Sequence, residues 1–447
     1  MAVKFSRADK IFIGIIAIAH IVFFVLACGY KRIYMGDSFE YIYEALNIKQ
    51  YLFFYSGNPA MPIVPDYMTQ RQPGYPLFLL SVYLFAVNNW VVLVLQNILS
   101  VFNIYYCRRI FLKLGYDTKY DWLFALLVIA YPSQLINANT IAPEILLQLC
   151  ALLYFGNFVT WLQTKQLKYA AWMSAALIAG MFVKPVLYPF VYAHALIVFI
   201  VALRQKVKMQ RPLVVAILPL CVMLLYCYDN YERTEKFHFS SNQAFNAIFY
   251  YYTYFSHKQG MDSADRFLDR ERKVINAIPD YKERYEYSNA RGMQLLRENF
   301  VPYMLFHLQN SARIFIEPGK AEIDLFTGRL TYGRLYHKEQ TGFFATLKRK
   351  GWGGMGEYVM NNPSLPFVML VLLFNCVRLI GLVMFFFRKN VHWLVRIFVF
   401  IFLSYFAVAA GPISNARYFL PVSLIDIGCA VLGYMGVLDK KANETVS

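Results

Sequence analysis

"GYPLFLLSVYLFAV", residues 74–87, is apolar enough to enter a bilayer, and whether it crosses decides how the rest of the chain is threaded. At about 1.5 Å per residue, fourteen residues reach only roughly 21 Å, short of the roughly 30 Å hydrocarbon core. A crossing here would also turn Arg108 and Arg109 away from the side that holds the other basic loops. The stretch therefore reads as a helix lying in the outer interface. Around it, 58% of the 447 residues are hydrophobic and only 16% are charged. A soluble domain carries about 25% charged residues, so the chain reads as an all-α polytopic membrane protein.

Apolar runs of spanning length recur at 11–28, 90–107, 122–138, 143–162, 169–183, 186–203, 213–228, 365–387, 393–410 and 418–436. About ten transmembrane helices are expected, with interfacial helices and an extracytoplasmic helical cap. Three regions follow. Residues 1–228 form an N-terminal bundle whose first outer loop is 29–89, residues 229–364 form the cap, and residues 365–447 form the C-terminal spans. Within the cap, 244–255 reads as lying on the membrane, 262–300 as solvated helices, and 300–317 as an amphipathic helix packed on the spans.

Charge sets the orientation. With a cytoplasmic N-terminus, the inner connections hold Arg108, Arg109, Lys113 and Lys119, then Lys165 and Lys168, then Arg204, Lys206, Lys208 and Arg211, then Arg388 and Lys389, then Lys440 and Lys441. The short outer connections hold only Lys184 and Arg417, which is the positive-inside pattern. The net charge of +17 sits mostly in these clusters, so it indicates orientation and anionic lipid rather than nucleic acid. The seven Cys fall within or beside apolar runs with no CxxC pair, which argues against a disulfide framework or a zinc site. The first run lacks the usual small-residue cleavage site and reads as a retained span, with both termini cytoplasmic. The one glycosylation sequon, at Asn443, falls in the inner tail, which points to a bacterial inner membrane.

The unusual polar residues share one side. Asp37, Arg71, Asn137, Asn139, Glu144, Lys184, Asn415 and Arg417 all map to outer ends of spans or adjoining loops. Ionisable groups at membrane depth are costly and commonly functional, so their convergence suggests a cavity at the outer interface. Each also has a plainer reading. In "GDSFEYIYEA", Asp37, Glu40, Tyr41 and Glu44 share a helix face. Asp37 and Glu40 fit a capping box, or Asp37 is a general base while Ser38 caps. In "RQPGYPLFL", Arg71 meets bulk lipid headgroups or grips a substrate phosphate. In "NANTIAPE", Glu144 suits the positive end of a helix, or it orients a nucleophile. Lys184 in "FVKPVLYP" snorkels, or with Arg417 of "SNARYFLP" it seats a leaving phosphate. Deeper in the bilayer, Arg378 and Asp426 read as a structural ion pair.

The order "GDSFEY", "RQPGYPLFL", "APE", "KP" and "RYFLP" resembles the GT-C superfamily of membrane glycosyltransferases. The style is that of the branch holding protein O-mannosyltransferases, lipid A aminoarabinose transferases and their bacterial relatives. The resemblance covers residues up to about 230 and the last 60, and 229–364 matches no motif. It implies an inverting transfer from a polyprenyl-phosphate sugar to a lipid, glycan or protein hydroxyl on the periplasmic face. It places Asp37 and Glu144 in the catalytic set, matches Lys184 and Arg417 to donor-phosphate contacts, and matches Arg71 to the Arg before the PGYP turn; Tyr41, Tyr75, Tyr418 and Glu40, which flank these positions, are expected in the substrate-binding set as well. No resident cofactor is expected, and no metal is predicted, although some relatives use a divalent ion. Where mannosyltransferases have adjacent Asp-Glu, this chain has Asp37-Ser38, which argues against protein mannosylation as such. Competing classes are a transporter or flippase of lipid-linked sugars, and a polymer ligase or lipid phosphotransferase of similar topology. Transporters carry internal repeats and midplane sites, whereas this polar set is one-sided.

Overall fold

The computed structural model of the chain describes residues 5–206, 208, 210–329 and 351–444. Helix α1 (Arg7–Tyr30) starts at a capping box: Ser6 Oγ accepts from the Asp9 N–H, and the Asp9 carboxylate accepts from the Ser6 N–H. That carboxylate also pairs with Arg108 at 2.6 Å. Arg108 belongs to α4 (Asn89–Leu112) and pairs again with Asp121 at 2.7 Å. Counted in the sequence among the loop cations, Arg108 is thus a buried tie between helix ends. Two carboxylates hold it, so its charge is spent inside the protein.

The loop after α1 leads to α2 (Ser38–Tyr51), and α3 (Gly74–Tyr83) is the short apolar helix of the opening stretch, ten residues long. The run expected as one span over 122–138 is two helices, α5 (Asp121–Ile129) and α6 (Pro132–Ala138). Pro132 supplies no N–H and keeps Tyr131 out of helical geometry, so the run breaks there. Every residue of α6 is buried, and its Gln134 and Asn137 side chains find partners inside the bundle.

Next come α7 (Glu144–Thr164), α8 (Leu167–Val183), α9 (Phe190–Arg204) and α10 (Gln210–Thr234). The cap contributes α11 (Asn242–Gln259), α12 (Met261–Asn276), α13 (Tyr281–Glu298), α14 (Phe300–Arg313) and α15 (Lys320–Phe326). After α16 (Gly353–Asn361), the chain returns through α17 (Leu365–Phe386), α18 (Trp393–Ala410) and α19 (Ala416–Glu444). Residues 330–350 of the expected cap and the side chains of Lys440, Lys441 and Asn443 lie outside the described residues. Among those described, seven helices are long and apolar enough to cross a membrane: α1, α4, α7, α10, α17, α18 and α19. Helices α8 and α9 are shorter, at 17 and 15 residues. The protein is a multi-pass, all-helical membrane protein.

Helix α7 packs on α8, and α19 packs on α17 and α7, which brings the start of α19 beside the start of α7. Arg378 and Asp426 meet across α17 and α19 at 2.8 Å, both buried, as the sequence suggested. The cap has its own core, in which Ile248, Tyr251 and Tyr254 of α11 meet Phe267 of α12 and Phe306 of α14. The Tyr-rich 244–255 stretch was expected on the membrane surface. It turns this face into the cap instead, and Tyr252 satisfies its hydroxyl by donating to Asp265 at 2.8 Å. Helix α14 docks on the bundle, where its His307 ring lies 2.9 Å from the Val408 carbonyl of α18.

Candidate functional site

Three backbone arrangements converge on one end of the bundle. The first loop runs against the segment before α7: the Ile141 N–H donates to the Ile33 carbonyl at 2.8 Å, and Ser38 Oγ donates to the Ile141 carbonyl at 2.6 Å. Ser38 also accepts from the Met35 N–H, so it fixes the approach to α2 and does not cap the helix. Asp37 occupies the N-cap position but makes no capping bond. Its carboxylate is free to turn toward α19. Secondly, Gly74 at the start of α3 lies so close to the end of α8 that a Cβ there would sit 2.6 Å from the Phe182 carbonyl oxygen. Only glycine allows this approach. Thirdly, the first turn of α19 is held from outside: the Arg417 N–H is accepted by Asn415 Oδ1 at 2.9 Å and by Glu322 Oε1 at 2.6 Å.

These constraints gather six charges. Arg417 Nη2 donates to both Asp37 oxygens, at 3.1 and 2.9 Å, and Arg417 Nε donates to Glu144 Oε1 at 2.5 Å. Lys184 Nζ donates to the same Glu144 oxygen at 2.7 Å. Arg71 Nε donates to Glu40 at 2.5 Å, and its Nη1 lies 3.9 Å from Asp37. The result is a chain, Glu40–Arg71–Asp37–Arg417–Glu144–Lys184, with alternating sign. Glu144 is fully buried, while the side chains of Asp37 and Arg71 are each 17% exposed and Lys184 is 15% exposed. The capping-box reading of the first loop fails here, because neither Asp37 nor Glu40 caps: each carboxylate is taken by an arginine.

The aromatics of the set divide. Tyr41 lies under the Arg71 guanidinium at 5.1 Å and Tyr418 under Lys184 at 4.9 Å, so each ring faces a cation. Tyr75 stands edge-on to Tyr41 and donates its hydroxyl to Gln96 at 2.6 Å. It is fully buried and supports the first layer from behind. Asn137 donates to Glu322 at 3.0 Å, while Asn139 exchanges hydrogen bonds with Asn97. These two amides hold the frame.

Burial pushes the Asp37 pKa up, but the guanidinium of Arg417, followed by Arg71, more than offsets this and holds it well below the usual carboxylate range. Glu40 is shifted upward by burial despite Arg71. Burial lowers the Lys184 pKa, with Glu144 opposing. Two buried acids lie beside this chain. Glu322 carries no signal in the sequence, because it sits in the seven-residue helix α15 with no motif around it. Burial pushes its pKa up to about 7. Glu44, on the Asp37 face of α2, is pushed to about 8, and its Oε2 has no partner among the described residues. Among the described residues no cluster of three or more His, Cys, Asp or Glu is placed to hold a metal. Each of the three carboxylates in this row pairs with at least one cation.

The charged site lies where the loop after α1 meets the starts of α7 and α19 and the end of α8. No family model matches the sequence, and no curated protein matches it. Among solved structures, the chain is similar to the archaeal oligosaccharyltransferase AglB from Archaeoglobus fulgidus, solved in complex with an inhibitory peptide and a dolichol-phosphate. The two share 12% identity at a TM-score of 0.50, over 99% of this chain and 52% of that one. The chain thus spans about half the length of that relative.

Proposed function

We propose that the protein is an inverting glycosyltransferase that moves a sugar from a polyprenyl-phosphate donor to a hydroxyl of a lipid, glycan or protein. In this reading the membrane is a bacterial inner membrane and the site faces the periplasm, a sidedness that the distribution of basic loops supports. The observation that carries the proposal is the bridging of Asp37 and Glu144 by Arg417, with Arg71 and Lys184 at either end. The dolichol-phosphate bound by AglB supports a lipid phosphate as the kind of ligand this fold accepts.

The chemistry follows from the charge order. An arriving phosphate brings its own negative oxygens to Arg417 and Lys184 and competes with the carboxylates for them. Asp37, relieved of part of its pairing, becomes a stronger base beside the sugar. The acceptor oxygen attacks the anomeric carbon, Asp37 takes the hydroxyl proton, and the bond from that carbon to the phosphate oxygen breaks. The leaving polyprenyl phosphate keeps the electron pair, and its charge is held by the cations already in place. A single displacement inverts the anomeric centre. Glu144, fully buried, holds Arg417 and Lys184 at fixed spacing so that little reorganisation is needed.

The test is transfer of radiolabel from a polyprenyl-phosphate sugar by purified protein, wild type against Asp37→Asn. A base of this kind is worth about 10²–10⁴ in rate, so the variant should fall by that factor with its melting temperature kept. Label that crosses a vesicle membrane without being transferred would instead establish a transporter.

A further inference from the structure

Beside the charge chain, the cap and the first loop line a partly open cavity of about 360 Å³ between residues 64–70 and helices α11, α12 and α13. Nothing in the transfer step above uses it. Its walls combine rings and planar polar groups: Tyr67, Phe245 and Tyr285 with Gln70 and Asn276. Two arginines and one carboxylate also line it. Asp66 is paired with Arg284. Arg272 lies over the Phe245 ring at 5.9 Å and carries no ion pair among the described residues. The cavity therefore holds one uncompensated positive charge.

Its position ties it to the site. Gln70, in its wall, directly precedes Arg71, whose guanidinium pairs with Glu40 and reaches Asp37. The cap side is stitched to this strip of chain. Ser240 Oγ and Asn242 Nδ2 donate to the Gln70 carbonyl at 3.1 and 3.2 Å, and Ser241 Oγ donates to the Asp66 carbonyl at 2.8 Å. The wall is preformed and continuous with the residues around Asp37.

We propose that this cavity is the acceptor subsite and that it takes an anionic sugar, a saccharide unit bearing a carboxylate or a phosphate, with the anion on Arg272. The proposal rests on the glycosyltransferase assignment for its role as acceptor site. The chemistry of the cavity stands without it. Ligand sites span roughly 300–1,000 Å³, so this volume fits a small unit rather than a folded segment. The aromatic rings offer flat apolar faces to the C–H side of a pyranose. The amides and the Asp66 carboxylate offer fixed acceptors and donors to its hydroxyls. The free guanidinium selects for charge, since it can give an anion two parallel hydrogen bonds.

Binding is measured on the full-length protein in detergent by saturation-transfer NMR, with D-glucuronate, glucose 6-phosphate and D-glucose as probes. An anionic sugar should bind at least roughly tenfold more tightly than glucose, the gain expected of one charge-assisted hydrogen bond. The tighter of the two identifies the anion. Arg272→Gln should erase the difference, and Arg272→Glu should reverse it. Both change an exposed side chain. Equal binding of all three sugars, no binding of either anionic sugar, or a preference that survives Arg272→Gln overturns the proposal. If the preference depends on Arg272 but no sugar is transferred, the subsite stands and the enzymatic assignment falls.

Discussion

Arg417→Lys keeps the charge and changes only its shape. In the native chain, Arg417 uses Nη2 for Asp37 and Nε for Glu144, so two separate nitrogens serve two carboxylates. A lysine ammonium is a single point on a flexible stem and cannot span both. At least one charge-assisted hydrogen bond is lost, worth about 1.5–3 kcal/mol. If that bond is felt in the transition state, transfer slows by roughly ten- to more than a hundredfold. The fold should hold, because the buried carboxylates still face a cation. The pH profile gives a second signature. Asp37 is ionised far below neutrality because Arg417 and Arg71 hold its pKa down. Weaker pairing raises that pKa toward the usual carboxylate value, so the acid limb of kcat/KM moves to higher pH. The assay is single-turnover transfer from a radiolabelled polyprenyl-phosphate sugar between pH 3 and 8, with melting temperature as the control. A variant within threefold of wild type, or with its acid limb unmoved, refutes the bridging role.

Two further outcomes concern stability. Arg378→Met leaves Asp426 as an uncompensated buried carboxylate and should cost about 3–5 kcal/mol, whereas Arg378→Met with Asp426→Leu should recover most of it. Thermal melting in detergent decides this, and a double variant no more stable than the single would sink the ion-pair account. Glu44 has a folded-state pKa near 8 against about 4.3 for a free side chain. Its contribution is full at acid pH and is lost between those values as the unfolded chain ionises first, at a slope of at most about 1.4 kcal/mol per pH unit. Glu322 acts the same way but is spent by about pH 7. The fall in melting temperature between pH 7 and 8 should therefore vanish in Glu44→Gln, and its persistence there would show that another group is responsible.

The helical bundle and the one-sidedness of its unusual charges were legible because both follow from simple rules, apolar length and the scarcity of ions in hydrocarbon. That Asp37, Arg71, Glu144, Lys184 and Arg417 meet was inferable from their shared side. How they meet was not. The sequence suggested a free base and a free cationic seat, and the structure pairs every member. Pairing depends on distances between helices that sit up to 380 positions apart in the chain. Pro132 marked the break in the third apolar run, but hydropathy outvoted it. The Tyr-rich 244–255 stretch looked interfacial because composition does not say which surface a tyrosine face will meet. Glu322 left no local signal, since its role depends on α15 reaching back to the first turn of α19.

The contact at Gly74 also bears on how the site responds to a guest. The turn after Arg71 rests on the backbone just before Lys184, with no side chain between to yield. These two cations are clamped as one unit. Spacing there is hard-wired, so a bulkier cargo gains no room by prying them apart. The neighbouring connection between 66–72 and 238–242 is made mostly by side-chain hydrogen bonds and has more room to give. That makes this seam the hinge line along which selectivity is open to engineering.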